Sequence, residues 1–302
     1  MTRFSIEEFH RELVQHKLIV PVGVPGAFGR GAVFEDVLRR FNDLVTRTAK
    51  DDGADVLTFP PVIPRAVFEK SEYLKSFPQL AGTIFSFTGN DAQHKELLER
   101  VHESKPWADL QTMTDLVLAP AACYPVYPTF AGVLPEAGRL VDVHNWIFRH
   151  EPSPEPTRMQ SFRMREFVRA GAPEVVFTWR NQWLQRGLSL LQALGLPARS
   201  DTAADPFFGR GGRMLALNQR EQQLKFEILV PIISETHPTA VCSFNYHQDH
   251  FGTIFGIKTH AGDVAHTACL GFGLERLTMA LFKTHGFVPA EWPVPVREQL
   301  FP

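Results

Sequence analysis

The 302-residue sequence holds three groups of side chains whose types and spacing can do chemistry. The first is Phe148-Arg149-His150-Glu151, then a proline-rich stretch containing Arg158, then a return run from Phe162 to Glu166. If both runs are strands, alternation puts Arg149 and Glu151 on one face, and likewise Phe162, Met164 and Glu166. An arginine fork grips a phosphate through two hydrogen bonds, a phenyl ring stacks on a purine, and a carboxylate accepts from an exocyclic amine. That set suits a nucleotide. Taken alone, it equally suits a hairpin with surface ion pairs and one core phenylalanine. The second group is Gly271-Phe272-Gly273-Leu274-Glu275-Arg276, where a strand-like segment gives way to a helix-like one. Glycines there let backbone approach closely, and an arginine in the first turn opposes the helix dipole and calls for an anion beside it. A plain strand-to-helix turn would use the same residues.

The third group is the cysteines. Cys123, Cys242 and Cys269 are odd in number and widely spaced, and the charged opening residues carry no signal-peptide pattern, so a disulfide framework is not expected. They are core residues or ligands. Cys123, Glu166 and Cys269 lie too far apart for a local zinc ribbon, and by spacing alone the two cysteines read as small buried hydrophobes. His247 and His250 have H-x-x-H spacing but fall in a segment read as strand, which points them to opposite faces; they are read as non-ligands.

The elements that must position these groups are legible in outline. Ser5 and Glu8 have capping-box spacing, and Val33, Val37, Leu38, Phe41, Leu44 and Val45 form a helical stripe ending at Gly53. An extended segment follows, whose Pro60 and Pro61 suit a sheet edge or an interface. Residues 140–171 read as two strands joined by a long, proline-stiffened loop. A helix starting near Thr178 carries Trp179, Trp183, Leu184, Leu188, Leu191 and Leu194 on one face, with Gly195 as its cap. FFGRGGR reads as a glycine-rich loop; QLKFEILVPII, VCSFNYHQDHFGTIFGI and VAHTACLGF read as strands, and a last amphipathic helix begins at Gly273. Strands joined mostly by loops, with helices between, indicate an α+β fold with a mixed, mostly antiparallel sheet flanked by helices.

Composition narrows the function. Lys plus Arg number 31 against 33 Asp plus Glu, a net charge of −2, which argues against a broad electrostatic grip on nucleic acid. No apolar run approaches the ~18 residues of a membrane span. A soluble, cytoplasmic protein is expected.

Arg149-x-Glu151, followed much later by Gly271-x-Gly273-x-Glu275-Arg276, resembles motifs 2 and 3 of the class II aminoacyl-tRNA synthetases, and the helix, strand and Pro60-Pro61 resemble motif 1. The resemblance covers about residues 33 to 285 and implies a single catalytic domain over 1–302, with a helical lead at 1–32 and an insertion near 174–215. It implies an ATP site. Arg149 would hold the α-phosphate and the reacting carboxylate, Phe162 would stack on adenine, Arg276 would lie near the other face and the γ-phosphate, Glu151 would meet the adenine end, and Arg158 would touch a phosphate. Glu227 matches the acidic residue that holds magnesium with ATP in that family; its plainer reading is a solvent-facing strand residue. Under this fold Cys123, Glu166 and Cys269 converge, and the set resembles the zinc site of the atypical, archaeal-type seryl-tRNA synthetases. One zinc per chain with one open tetrahedral position would take a substrate amino group.

Those synthetases carry a large N-terminal tRNA-binding domain, whereas only residues 1–32 precede the motif 1 helix here. A core of this type with near-neutral charge resembles the bacterial amino acid:[carrier protein] ligases. That resemblance implies activation of a small amino acid, glycine first, as its adenylate and transfer to the phosphopantetheine thiol of a carrier protein, by a homodimer that does not use tRNA. Glu166 and Asn245 would bind the amino acid, with Ala172 and Ser243 as further lining, and Arg180, Arg186, Arg210 and Arg213 would offer an acidic carrier a basic surface. The alternatives are a minimal tRNA-charging enzyme and an inactive synthetase-like regulatory subunit.

Overall fold

The computed structural model describes residues 5–302, apart from the side chain of Arg210. Ser5 caps α1 (Ile6–Gln15): the Glu8 N–H donates to Ser5 Oγ at 3.1 Å and the Ser5 N–H to the Glu8 carboxylate at 2.7 Å. Two otherwise free helix-end donors are satisfied. The ribbon β1 (Ile19–Pro21) and β2 (Phe28–Arg30) leads to α2 (Ala32–Thr48). α2 buries Phe34, Val37, Leu38, Phe41, Leu44 and Val45, while Val33 faces out because Phe34 holds the position in phase with Val37, Leu38 and Phe41.

Next come β3 (Asp55–Leu57), β4 (Val62–Pro64), α3 (Arg65–Lys70), α4 (Tyr73–Ser76), β5 (Thr83–Ser86), α5 (Asp91–His102) and β6 (Thr112–Leu118), with β4, β6 and β5 forming a small sheet in that order. The remaining elements are β7 (Gly132–Val133), β8 (Arg139–Phe148), β9 (Ser161–Gly171), α6 (Pro173–Ala193), β10 (Arg199–Thr202), α7 (Gly209–Glu221), β11 (Lys225–Val230), β12 (Thr239–Gln248), α8 (His250–Phe255), β13 (Ile257–Lys258), β14 (His266–Gly273), α9 (Leu274–His285) and α10 (Val294–Leu300).

The central sheet has seven strands in the order β10-β11-β12-β14-β9-β8-β3. Every neighbouring pair is antiparallel except β3 with β8, so the expected α+β, mostly antiparallel architecture holds. Period-two alternation divides its faces. Phe167, Leu270, Phe272, Phe244 and Cys242 point to one side and are buried against helices, with Phe167 stacked on Trp183 of α6 at 5.1 Å and Phe272 against Phe41 of α2 at 6.2 Å. The other side carries the polar residues. β3 is an outer strand with Val56 exposed, and Pro60-Pro61 lie beyond it after Thr58 and Phe59, outside the ladder.

Four expectations need correction. FFGRGGR is not all loop: α7 starts at Gly209, and Gly212 lies so close to the Phe207 carbonyl that a Cβ would sit 2.5 Å from its oxygen. VCSFNYHQDHFGTIFGI is not one strand: β12 ends at Gln248, whose φ is +53°, and α8 runs from His250 to a left-handed Gly256. The helix at 178 begins earlier, at Pro173. On it Arg180 is buried, with both terminal nitrogens on the Gln223 carbonyl oxygen, and Arg186 is paired with both carboxylate oxygens of Asp52. Neither is a free surface cation; Arg213 is exposed, and the Arg210 side chain and the first four residues of the 1–32 lead lie outside the described set. Among the described residues no helix is long and apolar enough to cross a membrane.

Candidate active site

The polar face of the sheet collects its side chains from four adjacent strands. Cross-strand register sets Glu227, Ser243, Gly271 and Glu166 in one row, and Lys225, Asn245 and Cys269 in the next. Gly271 sits between two side chains that need its space. A Cβ there would lie 2.8 Å from Met164 Cε and 3.3 Å from Glu166 Cγ, so glycine is what lets Glu166 stand upright on the sheet.

The nucleotide candidates meet at one end of this face. Phe162 has the Arg149 guanidinium 5.9 Å and the Arg276 guanidinium 5.8 Å from its ring centre. Arg149 is held by its Nε donating to the Pro120 carbonyl at 3.0 Å. Arg276 donates to the carbonyls of Thr157 at 2.8 Å and Ala240 at 3.0 Å, so backbone oxygens meet part of the need for negative partners inferred for this arginine. Burial pushes its pKa down, Arg149 and Arg158 push the same way, and Glu151 and Glu227 oppose them. All five proposed nucleotide charges therefore share one neighbourhood. Glu151 departs from the strand reading: the β8–β9 ladder ends at Phe148 and Ser161, and beyond it only the Arg149 N–H reaches across, to Gln160 O at 2.8 Å. Pro152, Pro154 and Pro156 have no N–H to continue the ladder, so Glu151 lies in the loop, 4.0 Å from Arg158.

Glu275, beside Arg276, does something else. It is wholly buried and receives the Arg163 backbone N–H at 2.7 Å and Arg163 Nε at 2.9 Å, with Arg30 Nε at 3.3 Å. Arg163 also grips Glu35 with both terminal nitrogens at 2.7 Å, so α2, β2, β9 and α9 are tied behind the site.

At the other end Cys123, Glu166 and Cys269 are all buried, and their ligand atoms lie within 4.8 Å of one another. Cys123 arrives on the loop after β6, which is pinned by the Ala122 N–H donating to Glu166 Oε1 at 2.8 Å. Burial pushes Glu166 up to about 7, the Cys269 charge adds to this, and hydrogen bonds from Cys123 and Ala122 oppose it. The thiol pair is polarised: their shared hydrogen bond holds Cys123 well above the usual thiol range and Cys269 well below it, the latter helped by His247 and Asn245. Two sulfurs and a carboxylate in a dry pocket, with this spread, fit the donor set and the roughly 2–2.3 Å bond lengths of a zinc ion.

Sequence reasoning missed several residues. His247 is on the site face with Nε2 3.6 Å from Cys269 Sγ, while Asn245 Nδ2 lies 3.4 Å from the same sulfur. Neither His247 nor His250 is in the triad; His250 opens α8 instead of continuing the strand. The signal for His247 was its two-residue alternation with Ser243 and Asn245. Tyr127 is fully buried and stacked on Phe251 at 4.0 Å, and its hydroxyl has no hydrogen-bond partner among the described residues. Lys225 bridges Asp205 and Glu227, and Asp205 in turn is held by Gln219 of α7 at 2.8 Å. Ala172 caps the start of α6, and Ser243 stands beside Gly271.

No family model matches the chain. It is 47% identical over 281 residues to amino acid--[acyl-carrier-protein] ligase 2 of Bradyrhizobium diazoefficiens, covering 92% of this chain and 84% of that protein. It is 29% identical over 282 residues to the type-2 serine--tRNA ligase of Methanococcus aeolicus, covering 87% of this chain and 53% of that protein. Among solved structures, the M. kandleri SerRS crystallised with A. aeolicus tRNASec superimposes with a TM-score of 0.83 at 23% identity, over 99% of this chain and 60% of that one. The fold is that of a class II aminoacyl-tRNA synthetase core.

Proposed function

Since the chain belongs to the amino acid–[acyl-carrier-protein] ligases, we propose that it activates a small amino acid, glycine first, with ATP and passes it to the phosphopantetheine thiol of a carrier protein. One observation carries this reading: a paired-arginine nucleotide end and a buried Cys-Glu-Cys triad lie on one sheet face, joined through Arg149, Met164 and Glu166.

In the first step a carboxylate oxygen of the amino acid attacks the α-phosphorus of ATP, and pyrophosphate leaves with the bridging oxygen. Arg149 lies between the two ends and is suited to hold both the α-phosphate and that carboxylate; Arg276 and Arg158 are suited to the outer phosphates. Adenine stacks on Phe162, and Glu151 accepts from its exocyclic amine. In the second step the carrier thiol attacks the acyl carbon and AMP leaves. Positioning and charge placement do most of this work, with no side-chain nucleophile.

Cys123, Glu166 and Cys269 would hold zinc, one per chain, and Glu227 would hold magnesium with the ATP. When bound, zinc supplies a Lewis-acidic position for an α-amino group, and magnesium neutralises phosphate charge. Asn245 and Glu166 then border the amino acid, with Ser243 as further lining.

A carrier protein as acceptor, without tRNA, is favoured by 47% identity to a carrier-protein ligase against 29% to a serine--tRNA ligase, and by the net charge of −2. We further read the chain as one catalytic unit, with residues 1–32 as a lead and an inserted segment near 174–215. It would work as a homodimer through α2 and the β3 edge, in the cytoplasm, where three unpaired cysteines stay reduced.

The test is amino-acid-dependent exchange of pyrophosphate into ATP, followed by transfer of labelled glycine. Exchange with glycine and label on holo-carrier alone are expected. Label on tRNA, or equal label on carrier lacking phosphopantetheine, would sink the acceptor assignment, and absence of any exchange would revive the inactive-subunit reading.

A further inference from the structure

Three groups that must all be anionic to bind a metal meet in a buried site, and this sets a charge problem that the triad alone leaves open. To hold a divalent ion, both cysteines must be thiolates beside the Glu166 carboxylate, which leaves net negative charge away from water. Buried charge of this kind is sustained by hydrogen-bond donors. Glu166 has one in the Ala122 N–H at 2.8 Å. Cys269 Sγ has two nitrogens beside it, Asn245 Nδ2 at 3.4 Å and His247 Nε2 at 3.6 Å. For Cys123 the donor at hand is the Tyr127 hydroxyl: its ring is fully buried four residues further along the same segment, 5.9 Å from the His247 ring, and the hydroxyl has no hydrogen-bond partner among the described residues.

We propose that Tyr127, Asn245 and His247 are positioning residues of this centre, the Tyr127 hydroxyl being the donor kept for the Cys123 thiolate and the two nitrogens the donors that hold the Cys269 thiolate. The inference rests on reading the triad as a metal centre. Thr267 Oγ1, 3.2 Å from His247 Nδ1 and on a fully buried residue, is placed to donate its hydroxyl proton to Nδ1, which leaves the ring proton on Nε2, the nitrogen 3.6 Å from the sulfur. Phe251 of α8 locks both rings, stacked on Tyr127 at 4.0 Å and edge-on to His247 at 4.9 Å. Donors on a ligand sulfur draw charge from it, so the metal remains a stronger acceptor for a substrate amine. The partners around a site thus set both its affinity and its acidity.

The test is cobalt(II) binding to the full chain, followed by the thiolate-to-cobalt absorption band and by competition with a chelator. Tyr127→Phe keeps the stacked ring and removes only the hydroxyl. His247→Leu removes the donor, while His247→Gln returns an amide N–H near the place of Nε2. Tyr127→Phe and His247→Leu are expected to weaken cobalt binding about tenfold or more and to shift the band, with His247→Gln recovering most of the loss. Circular dichroism and Tm, read in parallel, separate this from unfolding. Wild-type affinity and an unmoved band in both variants would overturn the proposal. A Tyr127→Phe protein with unchanged cobalt binding but a raised amino-acid KM would overturn it for Tyr127 and give the hydroxyl to the substrate. If the wild-type chain takes up neither cobalt nor zinc, the metal-centre reading beneath it fails instead.

Discussion

Phe162 and Arg276 make the sharpest case for what single side chains contribute. Phe162→Leu keeps an apolar side chain on β9 but removes the π face under two guanidiniums, a loss of about 1–2 kcal/mol, so the KM for ATP should rise roughly tenfold with little change in the amino-acid KM. An equal rise in both would place the ring in general packing. Arg276→Lys keeps the charge but loses the fork that reaches Thr157 and Ala240 together, and kcat for pyrophosphate exchange should fall on the order of a hundredfold. Arg149, Phe162 and Arg276 were legible because strand alternation and a Gly-x-Gly turn constrain where they point. Tyr127 was not, because nothing about a tyrosine in a proline-rich stretch says that its ring lies flat on Phe251, more than a hundred residues away.

At the scale of elements, the site depends on joints that have no chemistry of their own. Gly271→Ala would push a methyl into Met164 and Glu166; on β14, held between two strands, the side chains must give way. Metal affinity should drop at least about tenfold, for a stability loss of only about 1–3 kcal/mol. Normal zinc content and affinity in that variant would show that Glu166 has slack. Glu275→Gln leaves Arg30 and Arg163 short of a buried anion and should cost about 3 kcal/mol or more, read as a Tm lower by on the order of 5–10 °C. Sequence periodicity found α2, α6 and the β8–β9 hairpin, since each has a long apolar pattern. It failed at α7 and α8 for a physical reason: three glycines lower the helix propensity of 209–212, and the Phe, Thr and Ile of 251–254 favour strand, yet both are helices, with Phe207 stacked on Phe77 ahead of α7 and Gly256 capping α8.

For the whole molecule, the outer strand β3 and the adjoining α2 make a testable assembly surface. Val56 is 76% exposed on this three-residue outer strand. Sedimentation should give twice the chain mass, and Val56→Asp should raise the dimer dissociation constant at least about tenfold by placing a charge in an apolar contact. A monomer with full exchange activity would remove the interface. The strand order has a separate consequence for synthesis. β14 is last among the strands in the chain but fourth in the sheet, wedged between β9 and β12. Until it emerges from the ribosome, β8–β9 and β10–β11–β12 are two half-sheets, each with a bare edge facing the other, and Cys269 has not yet joined Cys123 and Glu166. A stalled nascent chain ending before His266 should therefore be protease-sensitive and prone to self-association, and one carrying β14 clear of the exit tunnel should close the sheet and assemble its Cys-Glu-Cys triad in the same event.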